Sequence, residues 1–332
     1  YEFVGWTGEG ITTPQTSVKI PKGSTGNKAY TANWQVIKYT IITLLEGGNA
    51  GSSGAYVYTV EETFTLPTPT RTGYTFWGWT GEGITTPQPN VTIPKGSTGD
   101  KTYIENWVET GYTITLDLNG GSGKEKVIYT MTDEDFELPT PTRNGYEFVG
   151  WTGEGITTPQ TSVRIPKGST GNKAYTANWK VIRYTITLVT NGGAVIASIR
   201  YTVEDSVTLP IPPERPGYEF SGWVLDGSGQ FPSTPMIIPA GSTGDRLYKA
   251  EWRVATYTIT YVSHGKAYNW VQYTINNQVY FGTPEEDPSY YLPGYTFVGW
   301  KIDGVEGTPR SYMLPKGSYG NRTATMIWEP IP

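Results

Sequence analysis

The sequence predicts a mostly β protein, an elongated linear array of small β-rich modules that are each about 72 residues long. One motif, Tyr-x-Phe-x-Gly-Trp, recurs at a nearly constant spacing through all 332 residues. Glycine (41) and proline (25) are abundant while aromatic residues reach 14%, a balance typical of many short strands and turns around a few large side chains. No segment shows a sustained helical period of 3.6 residues.

Two series of aromatic residues define the repeat. The motif begins at five tyrosines, and a second tryptophan closes each copy with almost the same period. These series give four complete modules at residues 39–107, 112–179, 184–252 and 257–328, the last of which is divergent, and residues 1–34 are the second half of a fifth. The tryptophans expected in the module cores are Trp6, Trp34, Trp79, Trp107, Trp151, Trp179, Trp223, Trp252, Trp300 and Trp328.

The module at 112–179 illustrates the predicted elements. Residues 112–116 alternate β-branched and aromatic side chains, and the Asn-Gly-Gly sequence at 119–121 is typical of a hairpin turn. Residues 127–130 supply the return strand, and the two prolines in 138–142 favour an extended segment. Further strands are expected at 146–151, 162–165 and 174–179, and loops at 157–161 and 166–171.

Charge and composition exclude several classes of function. The formal charge is −5 and no basic run occurs, so the chain has no electrostatic footprint for nucleic acid. Cysteine is absent, which excludes disulfides and thiolate metal sites. No apolar stretch approaches the roughly 20 residues that span a bilayer. The chain opens on Tyr1 without a signal segment, and we expect it to be part of a longer polypeptide.

These residues resemble a known family. The motif Gly-Tyr-x-Phe-x-Gly-Trp, a closing aromatic strand and an opening Tyr-Thr-Ile-Thr-Leu followed by Gly-Gly are similar to the Listeria-Bacteroides repeat, or internalin B-repeat, family. The resemblance covers essentially the whole chain. It implies a secreted protein of the bacterial cell surface and a compact β-grasp-like module that serves as a stalk or an adhesive segment. The helix of a full β-grasp has no counterpart in this sequence.

No catalytic or metal-binding set is identifiable. The single histidine, His264, has no repeated partner, and a turn or surface position explains it better than a triad or a metal site. Glu9, Glu82 and Glu154 each lie in Thr-Gly-Glu-Gly, where a tolerant turn is the simpler interpretation. We therefore expect a protein that is not an enzyme and that binds no cofactor or metal.

Two functions from different classes remain open. The first is an extracellular stalk or spacer that holds a functional end away from the bacterial surface. The second is adhesion to a host protein or glycan through the divergent module, whose crowded aromatics are typical of interfaces, although atypical end modules of repeat arrays are also often caps. Trp77 is a further aromatic that occurs in only one copy. The candidate ligand-binding aromatics are Tyr268, Trp270, Tyr273, Tyr280, Phe281, Tyr290 and Tyr291.

The half module at the start of the chain indicates a third possible function. Residues 1–34 lack the opening hairpin that residues 112–130 supply elsewhere, so strand edges would be exposed and Trp6 and Trp34 poorly buried. One possibility is that the chain simply begins partway through a longer polypeptide. The other is that strands from a second copy complete the half module, which would make the chain a strand-complemented filament subunit.

Overall fold

The computed structural model describes residues 1–45, 52–284 and 292–332, and every regular element in them is a β-strand. Contacts divide the chain into two units, which are Tyr1–Pro141 with Phe148–Asn178, and Thr142–Glu147 with Trp179–Pro332. The same small set of sheets is repeated along the sequence. The predicted mostly β fold with tandem modules is therefore confirmed, and no helix occurs in the described residues.

The first two repeats set out the pattern. The half module contains β1 (Glu2–Gly8), β2 (Ile11–Gln15) and β3 (Thr31–Gln35), arranged in the order β2-β1-β3. The module after it contains β4 (Lys38–Leu45), β5 (Ser52–Thr59), β6 (Phe64–Thr65), β7 (Tyr74–Gly81), β8 (Ile84–Gln88), β9 (Thr92–Ile93) and β10 (Lys101–Glu109). These strands form a five-stranded sheet, β5-β4-β10-β7-β8, and a two-stranded ribbon, β6-β9.

The next two modules repeat this arrangement. One contains β11 (Tyr112–Asp117), β12 (Lys126–Tyr129), β13 (Phe136–Glu137), β14 (Tyr146–Gly153), β15 (Ile156–Gln160), β16 (Arg164–Ile165) and β17 (Lys173–Val181), with the sheet β12-β11-β17-β14-β15 and the ribbon β13-β16. The other contains β18 (Tyr184–Val189), β19 (Ile199–Tyr201), β20 (Val207–Thr208), β21 (Tyr218–Leu225), β22 (Ile237–Ile238) and β23 (Arg246–Val254). Its sheet is β19-β18-β23-β21 and its ribbon is β20-β22.

The divergent module keeps the same connectivity. Its strands are β24 (Tyr257–Ser263), β25 (Lys266–Tyr273), β26 (Val279–Phe281), β27 (Tyr295–Ile302), β28 (Tyr312–Leu314) and β29 (Arg322–Pro330). They form the sheet β25-β24-β29-β27 and the ribbon β26-β28. In every complete module the opening strand and the closing strand are neighbours and run parallel, as β4 and β10 do with Ile41 opposite Lys101. Both ends of a module therefore lie in the middle of its sheet.

The core of each module has the same composition. An isoleucine of the opening strand, a tyrosine of the return strand and the motif tryptophan are buried together against a ribbon residue. The tyrosine is also hydrogen-bonded, because its hydroxyl donates to a glycine carbonyl, as from Tyr58 to Gly99 at 2.7 Å. The buried sets are Ile41, Tyr58, Trp79 and Ile93; Ile114, Tyr129, Trp151 and Ile165; Ile186, Tyr201, Trp223 and Ile238; and Ile259, Tyr273, Trp300 and Leu314.

The segment at 157–161, predicted to be a loop, instead forms strand β15 (Ile156–Gln160), so that expectation was wrong. The Thr-Gly-Glu-Gly turn folds the chain back along the motif strand, and β15 lies at the edge of the sheet. An edge strand tolerates Pro159, since only one side of the strand needs hydrogen bonds. The motif glycine explains the close pairing, because a Cβ at Gly150 would lie 2.5 Å from backbone atoms of Gln160.

Residues 1–34 contain the later strands of a module, as the repeat phase predicts. In the complete modules the closing strand lies between the motif strand and an opening strand. In the half module, β3 pairs with the motif strand β1 on one side, and none of the described strands pairs with its other side. Trp6 is 38% exposed and Trp34 is 59% exposed. Completion of this sheet by a second copy stays a prediction.

Candidate functional site

The divergent module carries a long hairpin that differs from its counterparts. Strands β24 and β25 are joined by the two-residue turn His264-Gly265, whose positive φ values of 53° and 74° suit a tight hairpin. The register shifts between Tyr261 and Val262, where the extra residue on β25 is Tyr268. The Tyr268 ring lies 6.2 Å from the Tyr261 ring. A β-bulge therefore places Tyr268 beside the aromatic residues of β24.

A cavity of about 440 Å³ opens between this hairpin and the segment after β26. Phe281 and Trp300, whose rings are 5.8 Å apart, form part of its floor. No side chain that lines it is acidic, basic or a histidine among the described residues. The cavity is therefore an uncharged, largely aromatic site with a few polar groups, lined by Tyr261, Tyr268, Asn269, Trp270, Val271, Tyr280, Phe281, Gly282, Thr283, Trp300 and Met326.

Four of the sequence-predicted aromatics meet at this cavity. Tyr268, Trp270 and Tyr280 are partly exposed around it, with Trp270 the most exposed at 64%, whereas Phe281 is buried at its base. Tyr273 is a correction to the prediction, because it is 1% exposed and donates a hydrogen bond to the Gly320 carbonyl at 2.6 Å. Tyr273 is thus a core residue of the module. Tyr290 and Tyr291 lie outside the described residues.

Tyr261 and Met326 are cavity residues that the sequence reasoning missed. The strand registers place Tyr261 where the two preceding modules have Leu116 and Leu188. Met326 stands where those modules have alanine at 177 and 250. Alignment of the modules with one another would have revealed both cavity residues, because each is a larger side chain than its equivalents in the other modules.

A groove of about 440 Å³ occupies the equivalent place in the module at 39–107, with different chemistry. Pro67 and Thr68 form its rim where the divergent module has Gly282 and Thr283. The Glu105 carboxylate, only 2% exposed, accepts a hydrogen bond from Trp107 Nε1 at 3.1 Å. The same groove is therefore polar in one module and uncharged in another.

The residues considered in the sequence for catalysis or metal binding make structural contacts in turns. His264 lies in the hairpin turn, and its imidazole stacks on the Trp328 ring at 6.1 Å. Glu82 and Glu154 have positive φ in their turns and each accepts a hydrogen bond at 3.1 Å from a backbone N–H of the closing strand. The described part of the chain contains no group of three or more His, Cys, Asp or Glu side chains able to hold a metal ion.

The tryptophans expected in the cores fall into three groups. The motif tryptophans of the complete modules are fully buried, and Trp107 is nearly so. Trp179, Trp252 and Trp328 are half-buried on the closing strands. Trp6 and Trp34 of the half module are 38% and 59% exposed, so the expectation of a core position is wrong for these two. Trp77, which was not expected in a core and occurs in only one copy, is 59% exposed. The buried motif tryptophans are Trp79, Trp151, Trp223 and Trp300.

Relatives of known sequence are similar to the chain over part of their length. The chain is 27% identical over 319 residues to a protein of Evansella cellulosilytica whose name describes it as a Gly-rich membrane protein, covering 91% of the chain and 36% of that relative. A second Evansella cellulosilytica protein, also named as a membrane protein, is 25% identical over 281 residues, which are 82% of the chain and 40% of the relative. The chain thus spans about two-fifths or less of the length of these relatives.

Two further comparisons concern the repeat itself. A stretch of 83 residues is 34% identical to Internalin H of Listeria monocytogenes, covering 25% of the chain and 15% of that protein. A family model described as the Listeria-Bacteroides repeat domain matches residues 39–103, 112–180, 184–243 and 257–315. These matches lie in the four complete modules and together cover more than half of the chain. Among the described residues, none forms a helix with the length and hydropathy of a membrane span.

Proposed function

The chain belongs to the Listeria-Bacteroides repeat family, and from that premise we propose that it is an extracellular spacer of a bacterial surface protein. In this role the array holds a functional end away from the cell and performs no catalysis. Two relatives carry names that assign them to a membrane, and a third is an internalin. These names support a location at the bacterial surface for this chain as well.

The linkers between modules are the observation that carries the proposal. Only two residues separate the closing strand of one module from the opening strand of the next, as Thr110 and Gly111 do between β10 and β11. The Thr110 N–H donates to the Gly73 carbonyl at 2.9 Å, so the linker is hydrogen-bonded to the module it leaves. Equivalent bonds join Ile182 to Gly145 and Ala255 to Gly217, both at 2.9 Å. Short, hydrogen-bonded linkers suit a spacer, which must resist folding back on itself.

Small-angle X-ray scattering of the whole chain tests the spacer. Four and a half modules in line, each roughly 30 Å across, would give a maximum dimension of about 130 Å. A single globule of this length would measure only about 50 Å. A value near the smaller figure at low protein concentration would overturn the proposal.

Adhesion through the uncharged cavity is the second candidate function. The cavity combines aromatic rings with the side-chain amide of Asn269 and the hydroxyl of Thr283. Rings that stack on the C–H faces of a sugar, beside groups that hydrogen-bond its hydroxyls, suit a neutral glycan better than a charged ligand. The volume of about 440 Å³ lies within the range of small-molecule sites.

A glycan array tests this second function. We expect the whole chain to bind neutral glycans, and Trp270→Ala with Tyr280→Ala to abolish that binding while the module stays folded. Trp77→Ala is the matched control, because Trp77 is about as exposed as Trp270 but lies in another module. Equal binding by the parent protein and the cavity variant would remove the cavity from consideration, and binding of a protein ligand alone would show that the glycan assignment is wrong.

A further inference from the structure

The turn before the motif strand, which reads Arg-x-Gly-Tyr in the modules at 39–107, 112–179 and 184–252, has one feature beyond its role inside the module. Gly73 has a φ of 79° and occupies the third position of a turn in which Tyr74 N–H donates to the Arg71 carbonyl at 3.1 Å. This is the geometry of a type II turn, which requires positive φ at that position. The Arg71 guanidinium lies 3.9 Å from the centroid of the Tyr74 ring and covers one side of the turn. Gly73 itself is buried.

A side chain of the next module covers the Cα of Gly73. A Cβ at Gly73 would lie 2.7 Å from Met131 Cγ, which means that Met131 rests directly on the glycine. Val203 rests in the same way on Gly145, and Ile275 on Gly217. In all three cases the apolar residue lies 58 positions after the glycine. We name Gly73, Gly145 and Gly217 the socket glycines and Met131, Val203 and Ile275 the knob residues.

Each knob residue is held firmly in its own module. The Met131 carbonyl accepts a hydrogen bond from the Gly168 N–H at 2.8 Å, and the Val203 and Ile275 carbonyls accept equivalent bonds at 2.6 and 2.7 Å. The residue before each knob is fixed as well, since the Thr130 N–H donates to Asp133 at 2.9 Å. Because the knob residue is fixed in its own module, its contact with the socket glycine constrains where that whole module lies relative to the preceding one.

Polar contacts accompany the apolar contact. The Thr132 hydroxyl, next to Met131, donates to Glu109 in the closing strand of the preceding module at 2.7 Å. The Tyr146 hydroxyl donates to the carboxylate of Glu204, which is next to Val203. Tyr1 and Glu61 make the same contact at 2.5 Å. The socket carbonyl also receives the linker N–H, so linker, turn and next module meet at one glycine.

We propose that the socket glycine is a docking surface for the knob residue of the following module, and that this contact fixes the angle between consecutive modules. The partner of each socket glycine is the following module of the same chain. That module presents an apolar Met, Val or Ile side chain 58 residues after the glycine. Size and shape are the constraint, because a Cβ on the socket would occupy the space of the knob. The orientation of each module therefore depends on its contact with the neighbouring module as well as on the linker between them.

Spin-label distances in the whole chain test the coupling. The chain has no native cysteine, so Thr85→Cys and Thr157→Cys, at equivalent exposed positions of β8 and β15, can be labelled without other changes. Met131→Ala is expected to give a distance distribution about twice as broad as in the parent protein, because the short linker alone would then set the angle. Met131→Leu should keep the parent width. Ile275→Ala is the matched control, because it removes a knob from a different junction.

The glycine side provides an independent test that does not depend on the knob variant folding normally. Gly73 and Gly294 lie in equivalent turns with φ of 79° and 83°, but a Cβ at Gly294 meets nothing within 4 Å among the described residues. Gly73→Ala and Gly294→Ala therefore carry the same backbone strain, and only Gly73→Ala displaces a knob. We expect Gly73→Ala alone to broaden or shift the 85–157 distance. Unchanged distances in both Met131→Ala and Gly73→Ala would overturn the proposal.

Discussion

The hydroxyl of Tyr129 donates a hydrogen bond to the carbonyl oxygen of Gly171 at 2.6 Å, at the centre of a module core. This bond joins the return strand to the glycine turn before the closing strand. It lets a large aromatic residue be buried without leaving a polar atom unpaired. Tyr58, Tyr201 and Tyr273 make the same bond to Gly99, Gly244 and Gly320.

Tyr129→Phe should lower the free energy of unfolding by about 1 kcal/mol, because the Gly171 carbonyl would lose its buried donor while the ring still fills the core. Denaturant unfolding monitored by tryptophan fluorescence measures the difference. The same change at Tyr201 should cost a similar amount. A loss at one site and none at the other would show that the bond is not a shared stabilising feature of the modules.

Gly78→Ala should destabilise its module by about 3 kcal/mol or more, because the added Cβ would overlap edge-strand backbone and force the sheet apart. That Cβ would lie 2.6 Å from the backbone of Gln88, at a φ of 147°. Gly83→Ala is the control, since Gly83 has a φ of 85° with nothing within 4 Å among the described residues, and its strain should cost only about 1 kcal/mol. Calorimetric unfolding of both variants distinguishes overlap from strain, and equal losses would contradict the prediction.

Acid should weaken the module at 184–252 through Asp205. Hydrogen bonds from the Thr202 hydroxyl and the Thr202 N–H, at 2.8 and 2.7 Å, hold the pKa of Asp205 below its usual value. A lowered pKa in the folded state means that the carboxylate stabilises the fold above its unfolded pKa of about 4, and that this stabilisation is lost as the pH falls through the folded pKa.

Asp205→Asn tests this dependence, because Asn277 makes the same two contacts with Thr274 in the divergent module. We expect the parent protein to be the more stable of the two at neutral pH and the difference to shrink as the pH is lowered from 6 toward 2 (a range that brackets the usual carboxyl pKa of about 4). Unfolding midpoints at several pH values measure this. A difference that stays constant with pH would show that Asp205 does not titrate as expected.

Alkaline conditions should weaken the contact between Tyr146 and Glu204. The hydrogen bond to Glu204 raises the pKa of Tyr146, since ionisation would remove the donor and set two negative charges together. A raised pKa in the folded state means that the neutral phenol contributes stability below its unfolded pKa of about 10, and that this contribution is lost as the pH rises through the folded pKa. Tyr146→Phe should remove that part of the alkaline dependence, as ultraviolet titration and unfolding midpoints would show.

Much of the module could be predicted from the repeated sequence. The hairpin residues, the motif strand and the closing strand alternate large and polar side chains, so their periodicity is visible without a structure. The edge strand Ile156–Gln160 was missed because its proline and threonines are equally typical of a loop, and its pairing depends on the Cβ-free surface of Gly150. Such a tertiary contact leaves no local signal in the strand itself.

The candidate cavity was only partly predictable. Crowded aromatics marked Tyr268, Trp270 and Tyr280, but the same criterion also selected Tyr273, which is a core residue. Composition cannot separate the two cases. The position of a tyrosine in the repeat does separate core residues from cavity residues. A tyrosine at the place of Tyr273 recurs in every complete module, whereas Tyr268 reaches the cavity only through a one-residue shift in strand register.

The parallel pairing of first and last strands has a mechanical consequence. In the module at 39–107 the chain enters at Lys38 and leaves at Glu109, and strands β4 and β10 run side by side between these points. Tension on the two ends would pull these strands past one another along their length. The hydrogen bonds between them would then be loaded in shear, all together, so that the module resists extension until several bonds break at once.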